Sequence, residues 1–112
     1  MKFYGYKKCG TCRKAEQFLK QRGVAFTEIP IREQPPAAAE LRLAAGFYEG
    51  NWRKLFNTSG QDYKAMRLSV RLPEMSEAEI LKLLAGNGNL VKRPFVVHDG
   101  RAWAGFNADG SV

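Results

Sequence analysis

Residues 6–14 read Tyr-Lys-Lys-Cys-Gly-Thr-Cys-Arg-Lys, and the fold prediction starts from this stretch. It holds both cysteines of the chain, Cys9 and Cys12, in a Cys-x-x-Cys spacing. A short apolar and aromatic run at residues 3–6 precedes it, and residues 13–22 carry apolar side chains at helical spacing. The two cysteines are therefore predicted to lie where a strand is followed by a helix.

The position of the two thiols predicts their roles. Free backbone N–H groups and the helix dipole stabilise a thiolate at a helix N-terminus, and four cations act in the same direction: Lys7, Lys8, Arg13 and Lys14. Cys9 precedes the first turn and is expected to be the exposed nucleophile. Cys12 lies one turn into the helix, where it can attack a mixed disulfide formed on Cys9.

Other uses of a cysteine pair are open at this stage. Two cysteines and one histidine, His98, cannot complete a structural zinc site within one chain, so such a site would have to be shared between two copies. The pair could also be two inert cysteines, because free cysteine is commonly buried as a small apolar residue. Dithiol redox chemistry is the interpretation that the spacing favours.

Length and composition bound the class of protein. A chain of 112 residues suits one domain with a real core. It has no apolar run near the roughly 18 residues of a membrane span, and its first residues do not resemble a signal peptide, so we expect a cytoplasmic location. The net charge of +7 is scattered in short pairs. The plain interpretation of this charge is a soluble basic surface; an acidic protein or an anionic small thiol as partner comes next, and direct nucleic-acid binding last. We expect no membrane partner.

The expected order of elements is β-α-β, a helical block, and a β-hairpin. A strand–helix–strand unit with a redox motif at its first turn is typical of the start of a thioredoxin-like fold. Gly46 is expected to end a helix, Ser59 and Ser76 to cap helices, and Asp99-Gly100 to form the hairpin turn. We expect strands over 2–6, 24–29, 95–98 and 101–104, helices over 12–21, 36–45, 60–67 and 76–85, and a short helix or turn over 51–56.

Three motifs together resemble the arsenate reductase (ArsC)/Spx family, in the ArsC-like branch near Spx and MgsR. They are Cys-Gly-Thr-Cys-Arg-Lys-Ala at 9–15, Asn-Thr-Ser-Gly at 57–60, and Leu-Val-Lys-Arg-Pro at 90–94. The resemblance spans residues 4–106 with the motifs in order. It implies an α/β, thioredoxin-like fold with a mixed sheet and an inserted helical subdomain. We expect a single domain over 1–112, with its core at about 1–34 and 87–112 and the insert at about 35–86.

The resemblance also implies site residues. The family's nucleophile falls on Cys9, its second thiol on Cys12 as in Spx, and the arginine of its Cys-x-x-x-Arg motif on Arg13. The arginine before the proline falls on Arg93, followed by a cis Pro94 beside the dithiol. Arg93 is then expected to stabilise the Cys9 thiolate or an anion bound to it. Gly10, Thr11 and Pro94 are expected to shape the site.

Three positions depart from the pattern of arsenate reductases. Asn57 and Gly105 stand where two oxyanion-binding arginines are expected, and Gly5 stands where a histidine precedes the nucleophile. These losses argue against arsenate reduction, because a dianion needs several charge-assisted donors.

Two functions follow from the resemblance. The first is a cytoplasmic thiol-disulfide oxidoreductase without a bound cofactor, regenerated by thioredoxin or by glutathione and glutaredoxin. The alternative is an Spx/MgsR-like redox-sensing transcriptional regulator that binds the C-terminal domain of the RNA polymerase alpha subunit. In that case the disulfide between the two cysteines would be a switch.

Overall fold

The computed structural model describes residues 1–105, in which four strands form one mixed sheet. The strand order is β2-β1-β3-β4, with β1 parallel to β2 and antiparallel to β3, and with β3 and β4 joined as a hairpin. This mixed sheet confirms the predicted α/β class. The strands are β1 (Lys2–Gly5), β2 (Thr27–Pro30), β3 (Phe95–His98) and β4 (Arg101–Ala104).

The first helix lies between β1 and β2 in sequence, and the other described helices all lie between β2 and β3. In chain order the described α-helices are α1 (Gly10–Gln21), α2 (Ala38–Phe47), α3 (Gln61–Ala65), α4 (Leu68–Arg71) and α5 (Glu77–Gly86), with 3₁₀ turns at Trp52–Leu55, Leu72–Glu74 and Gly88–Leu90. The boundaries between core and insert stay a prediction, and the predicted core from Phe106 onward lies outside the described residues. None of the helices in 1–105 is long and apolar enough to cross a bilayer.

The two faces of the sheet carry separate apolar clusters, because successive side chains of a strand point to opposite faces. Phe3 and Val96 pack on one face with three residues of α1: Cys12, Ala15 and Leu19. Tyr4 and Phe95 point to the other face and join the larger core, which α2 and α5 complete. Cys12 is thus part of the smaller core, and Cys9 lies at its margin.

Two local predictions are confirmed. Ser76 caps α5: its Oγ accepts a hydrogen bond from the Glu79 N–H at 3.2 Å, and its own N–H donates to Glu79 Oε1 at 3.3 Å. Asp99 and Gly100 have φ values of 52° and 75°, which is the left-handed pair that a type I′ hairpin turn requires.

The predicted boundaries of α2 and β2 are wrong. Gly46 lies inside α2, and the chain turns after the helix through Glu49 and Gly50, at φ 57° and 84°, where the Gly50 N–H bonds the Ala45 carbonyl at 2.8 Å. β2 begins at Thr27 and not at residue 24, because its partner β1 begins at Lys2 and earlier residues have no strand beside them.

The predicted helix over 60–67 is also wrong in detail. α3 begins at Gln61 with Gly60 as its N-cap and without a side-chain cap, so Ser59 does not cap it. The segment breaks at Arg67, whose φ is 54°, and the unpredicted α4 follows. Gly60 lies close to the Asn57 side chain, since a Cβ at that position would be 2.7 Å from Asn57 Nδ2.

Candidate active site

The two thiols lie at the N-terminus of α1, as predicted. Cys9 is the N-cap residue with an extended backbone (φ −85°, ψ 118°), and its carbonyl accepts a hydrogen bond from the Arg13 N–H at 3.1 Å. Cys12 is 1% exposed, whereas Cys9 is partly exposed. Gly10 and Thr11 are exposed between them. Neither thiol is in a disulfide, and the Cys9 thiol is more accessible to solvent than the Cys12 thiol.

Burial raises the pKa of Cys12 from 9.0 to about 12. A backbone hydrogen bond from Tyr6 opposes this rise in pKa, Cys9 adds to it through a hydrogen bond and its charge, and the charge of Arg93 opposes it. Cys12 is therefore a protonated thiol at neutral pH. Once the sulfur of Cys9 is held in a disulfide, it no longer raises the pKa of Cys12. Cys12 then ionises more readily, so the surroundings favour reaction at Cys9 first and at Cys12 second.

Tyr6 is a site residue that the sequence analysis missed. Its carbonyl accepts a hydrogen bond from the Cys9 N–H at 2.9 Å, and its backbone also bonds the Cys12 thiol. Its ring contacts two guanidinium groups, with the Arg32 carbon 4.4 Å and the Arg93 carbon 5.6 Å from the ring centroid. No sequence signal marks this role, since the ring contacts depend on how distant segments pair.

The register of the sheet brings Arg93 to the dithiol. Tyr4 is opposite Phe95 in the antiparallel β1–β3 pair, so the residues that follow Tyr4 run beside those that precede Phe95. Arg93 is half-buried, and its charge lowers the pKa of Cys12. The Arg93–Pro94 peptide bond is cis, which confirms that expectation, and Pro94 is buried.

Arg13, the arginine of the Cys-x-x-x-Arg motif, lies in the first turn of α1. Its side chain is exposed on α1, and its charge acts on Glu16. The pKa of Glu16 is raised chiefly by burial and by the neighbouring Glu28, and Lys20 and Arg13 oppose that rise. Among the described residues, the cation that affects the Cys12 thiol is Arg93 and not Arg13.

Gly5 leaves no room for the histidine of the family pattern. A Cβ there would lie 2.8 Å from the Phe3 ring and 3.5 Å from Cys12 Sγ. The Phe3 ring thus fills the space that a side chain at position 5 would need.

Two cavities lie near these residues. One of about 640 Å³ adjoins the β1–α1 loop, and its charges are mixed, since Lys7 and Lys8 line it together with Glu28 and Glu33. The other, of about 400 Å³, is lined by Lys92, the residue before Arg93, and by several polar or basic residues: Arg53, Lys54, Asn57, Thr58 and Ser59. Within residues 1–105, no three His, Cys, Asp or Glu side chains converge as metal ligands.

Comparison with known proteins places this chain in a family. Residues 4–111 match the ArsC family. The chain belongs to the ArsC family. The match includes both cysteines, Arg13 and the Arg93-Pro94 pair.

Two proteins of similar sequence and one solved structure show what this chain resembles. The uncharacterized protein YusI of Bacillus subtilis (strain 168) is 44% identical over 96% of this chain and 91% of its own length. The regulatory protein MgsR of the same organism is 29% identical over 94% of this chain and 82% of its own length. The crystal structure of an ArsC family related protein from Bacteroides fragilis superimposes with a TM-score of 0.87 at 39% identity, over 96% of this chain and 91% of that one. These matches confirm the thioredoxin-like ArsC fold.

Proposed function

We propose that this protein is a thiol-disulfide oxidoreductase of the ArsC family. One observation carries the proposal: the partly exposed Cys9 is the N-cap residue of α1, and the buried Cys12 thiol lies within hydrogen-bond reach of the Cys9 thiol. A nucleophilic thiol must be accessible to its substrate, whereas a resolving thiol needs to reach only the first sulfur. The two positions meet these different requirements.

The reaction proceeds by two thiol–disulfide exchanges. The Cys9 thiolate attacks one sulfur of a substrate disulfide, an S–S bond forms to Cys9, and one thiolate leaves and takes up a proton. Cys12 then loses its proton and attacks Cys9 Sγ, which releases the second thiol. The dithiol and RSSR become a protein disulfide and two RSH, so two electrons pass from protein to substrate.

The surrounding residues act on the second exchange. Tyr6 and Arg93 favour the Cys12 thiolate, which must form in a site whose burial opposes it. Gly10 and Thr11 form the exposed segment between the two cysteines, and the buried Pro94 follows Arg93. Arg13, on the exposed side of α1, is available to an anionic substrate as it approaches.

An external thiol must return the protein to its reduced form. Thioredoxin supplies a dithiol for this step, and glutathione with glutaredoxin supplies two thiols; both belong to the reducing cytoplasm that we propose as the location. Arsenate is not the proposed substrate, because Asn57 and Gly105 stand where the resemblance places two oxyanion-binding arginines, and neither side chain carries a charge.

A coupled assay tests this proposal. Reduced protein is supplied with a small disulfide and either thioredoxin, thioredoxin reductase and NADPH, or glutathione, glutaredoxin, glutathione reductase and NADPH, each with a protein-free blank. We expect NADPH consumption above the blank with one system, its loss in Cys9→Ser, and slower turnover in Cys12→Ser. Equal rates in wild type and Cys9→Ser, or no turnover with either system, would refute the proposal. Arsenate in place of the disulfide should give no turnover.

A second candidate function is supported by the likeness to MgsR, a regulatory protein. In this case Cys9 and Cys12 would form a redox switch, and the partner would be the C-terminal domain of the RNA polymerase alpha subunit, as the resemblance to Spx implies. Pull-down with that domain, using reduced and oxidised protein, distinguishes the two functions. Redox-dependent binding without turnover would favour the regulator, and turnover without binding would favour the enzyme.

A further inference from the structure

The cavity of about 400 Å³ beside Lys92 is strongly basic. Arg53, Lys54 and Lys92 supply three cations to its wall, and Asn57, Thr58 and Ser59 add neutral polar groups. No carboxylate is among its described lining residues. Concave sites of this size hold small molecules, and this lining suits an anion.

Backbone pairing fixes the wall of this cavity. Phe56 forms an isolated antiparallel bridge with Val91. The Asn57 N–H donates to the Leu90 carbonyl and the Lys92 N–H to the Leu55 carbonyl, both at 2.8 Å. The segment that carries Arg53 to Ser59 is therefore held against the segment that leads into Arg93.

The Lys92 side chain passes close to Gly105. A Cβ on Gly105 would come within 2.9 Å of Lys92 Cε and 3.3 Å of its Nζ, so the lysine stem lies directly on the glycine backbone. The Gly105 N–H bonds the Pro94 carbonyl at 2.8 Å. Lys92 thus lines the cavity, while Arg93, the next residue, acts on Cys12.

The cations of this cavity are not neutralised within residues 1–105. The two ion pairs found there join Lys2 to Glu40 and Arg42 to Glu77, well away from the cavity lining. Lys54 contacts a ring instead, with its Nζ 5.6 Å from the Tyr48 centroid. Unpaired cations converging on a concave surface attract a ligand that carries carboxylates or similar anions.

We propose that this cavity binds a carboxylate group of a small anionic disulfide and so presents the disulfide bond to Cys9. The inference rests on the proposed oxidoreductase function, whose exchanges it leaves unchanged. Asn57 lines this cavity and Gly105 lies beside Lys92, but the cations come from positions 53, 54 and 92, to which the family pattern assigns no oxyanion-binding role. The lining offers no accessible ring for a nucleic-acid base, since Phe56 is 2% exposed.

Single-turnover oxidation with matched disulfides tests the charge preference. Reduced protein is mixed at low ionic strength with glutathione disulfide, which carries carboxylates, or with neutral bis(2-hydroxyethyl) disulfide, and loss of protein thiols is followed. We expect Arg53→Gln and Lys54→Gln each to slow oxidation by glutathione disulfide about 5-fold, and to leave oxidation by the neutral disulfide unchanged. Lys82→Gln, at an exposed position on α5, is the matched control for net charge and should change neither rate.

The outcomes separate this inference from the function on which it rests. If both disulfides oxidise the protein but Arg53→Gln and Lys54→Gln behave like Lys82→Gln, the cavity assignment is wrong and the oxidoreductase stands. If neither disulfide oxidises the protein, the oxidoreductase proposal fails first, and a binding measurement then decides on the cavity.

That measurement uses the Cys9→Ser/Cys12→Ser variant, which cannot react. Titration with glutathione disulfide should shift the amide NMR signals of Asn57, Thr58, Ser59 and Lys92, and Arg53→Gln should weaken the binding. Shifts spread over the basic surface, or equal binding of inorganic phosphate, would overturn the assignment to a carboxylate-bearing disulfide.

Discussion

At the residue scale, the site depends on a thiol that burial keeps protonated. Cys12 is 1% exposed, and its pKa is raised to about 12. The native state therefore holds this proton more tightly than the unfolded chain. As pH rises above about 9, the unfolded state loses the proton while the native state retains it, so the free energy of unfolding falls with pH until about 12.

We predict that Cys12→Ala removes part of this alkaline loss of stability. Between pH 9 and 10 the reduced wild type should lose about 1 kcal/mol more of its free energy of unfolding than the variant does. Urea unfolding of both proteins under reducing conditions at pH 7, 9 and 10 measures the difference. Both proteins keep every other side chain, so the comparison isolates the effect of the Cys12 side chain. Parallel pH profiles would show that Cys12 does not hold its proton as the structure indicates.

Arg93 gives a second prediction at this scale. Its charge lowers the pKa of Cys12, so Arg93→Ala should slow the step in which Cys12 attacks the mixed disulfide on Cys9. We expect a decrease of about 3- to 10-fold, with part of the rate retained in Arg93→Lys. Acid quenching and mass spectrometry after mixing with bis(2-hydroxyethyl) disulfide follow the mixed disulfide directly. Arg101→Ala, an exposed arginine on β4, is the control, and equal decay in both variants would place Arg93 outside the mechanism.

At the element scale, Glu40 joins the N-terminus of α2 to β1. Its carboxylate accepts hydrogen bonds from the Tyr4 hydroxyl at 2.6 Å, the Ala37 N–H at 3.0 Å and Lys2 Nζ at 3.0 Å. Burial opposes the charge of Glu40, but these three donors outweigh it and lower the pKa of Glu40. The carboxylate thus ties the helix to the sheet most strongly when it is ionised.

We predict that Glu40→Gln lowers the free energy of unfolding by about 1–2 kcal/mol at pH 7. Since the pKa of Glu40 is lowered in the native state, its contribution is present above the pKa of the unfolded carboxyl, near 4.3, and is lost as pH falls through the native value. The difference in the free energy of unfolding between Glu40→Gln and wild type should therefore become smaller at acidic pH. Arg42→Gln, which breaks an exposed pair at 3.8 Å, should cost under about 0.5 kcal/mol. A Glu40→Gln effect as small as that of Arg42→Gln would contradict this account.

The sequence correctly predicted the features that depend only on neighbouring residues. The hairpin turn at Asp99-Gly100, the cap at Ser76 and the cysteines at the start of α1 each depend on a few neighbouring residues. Where the structure differs from the prediction, the boundary of an element depends on a segment that is distant in sequence. β2, for example, starts only where β1 lies beside it and offers hydrogen bonds. Ser59 is a residue type that often caps helices, but here it lines a cavity, and Gly60 is the N-cap residue of α3.

At the scale of the whole molecule, strand pairing assembles the site from distant segments. The β1–β3 register brings Arg93 and Pro94 beside the start of α1, and the Phe56–Val91 bridge adds the basic cavity. The sequence predicted the two cysteines and, through the family resemblance, Arg93 and Pro94 as site residues. It could not identify Tyr6 or the cavity, because their contacts exist only once the sheet register is set. Family membership leaves open which of two functions the dithiol serves, and that depends on the fate of the Cys9–Cys12 pair.

The most direct test follows the two sulfurs through one turnover. Reduced wild type, Cys9→Ser and Cys12→Ser are mixed with bis(2-hydroxyethyl) disulfide, quenched with acid and alkylated at timed intervals, and the products are identified by peptide mass spectrometry. We expect the wild type to pass through a short-lived adduct on Cys9 to a Cys9–Cys12 disulfide, Cys12→Ser to stop at the adduct, and Cys9→Ser to remain reduced. An adduct on Cys12, or a wild-type adduct as persistent as that of Cys12→Ser, would contradict the assignment of Cys9 as nucleophile and Cys12 as resolving thiol.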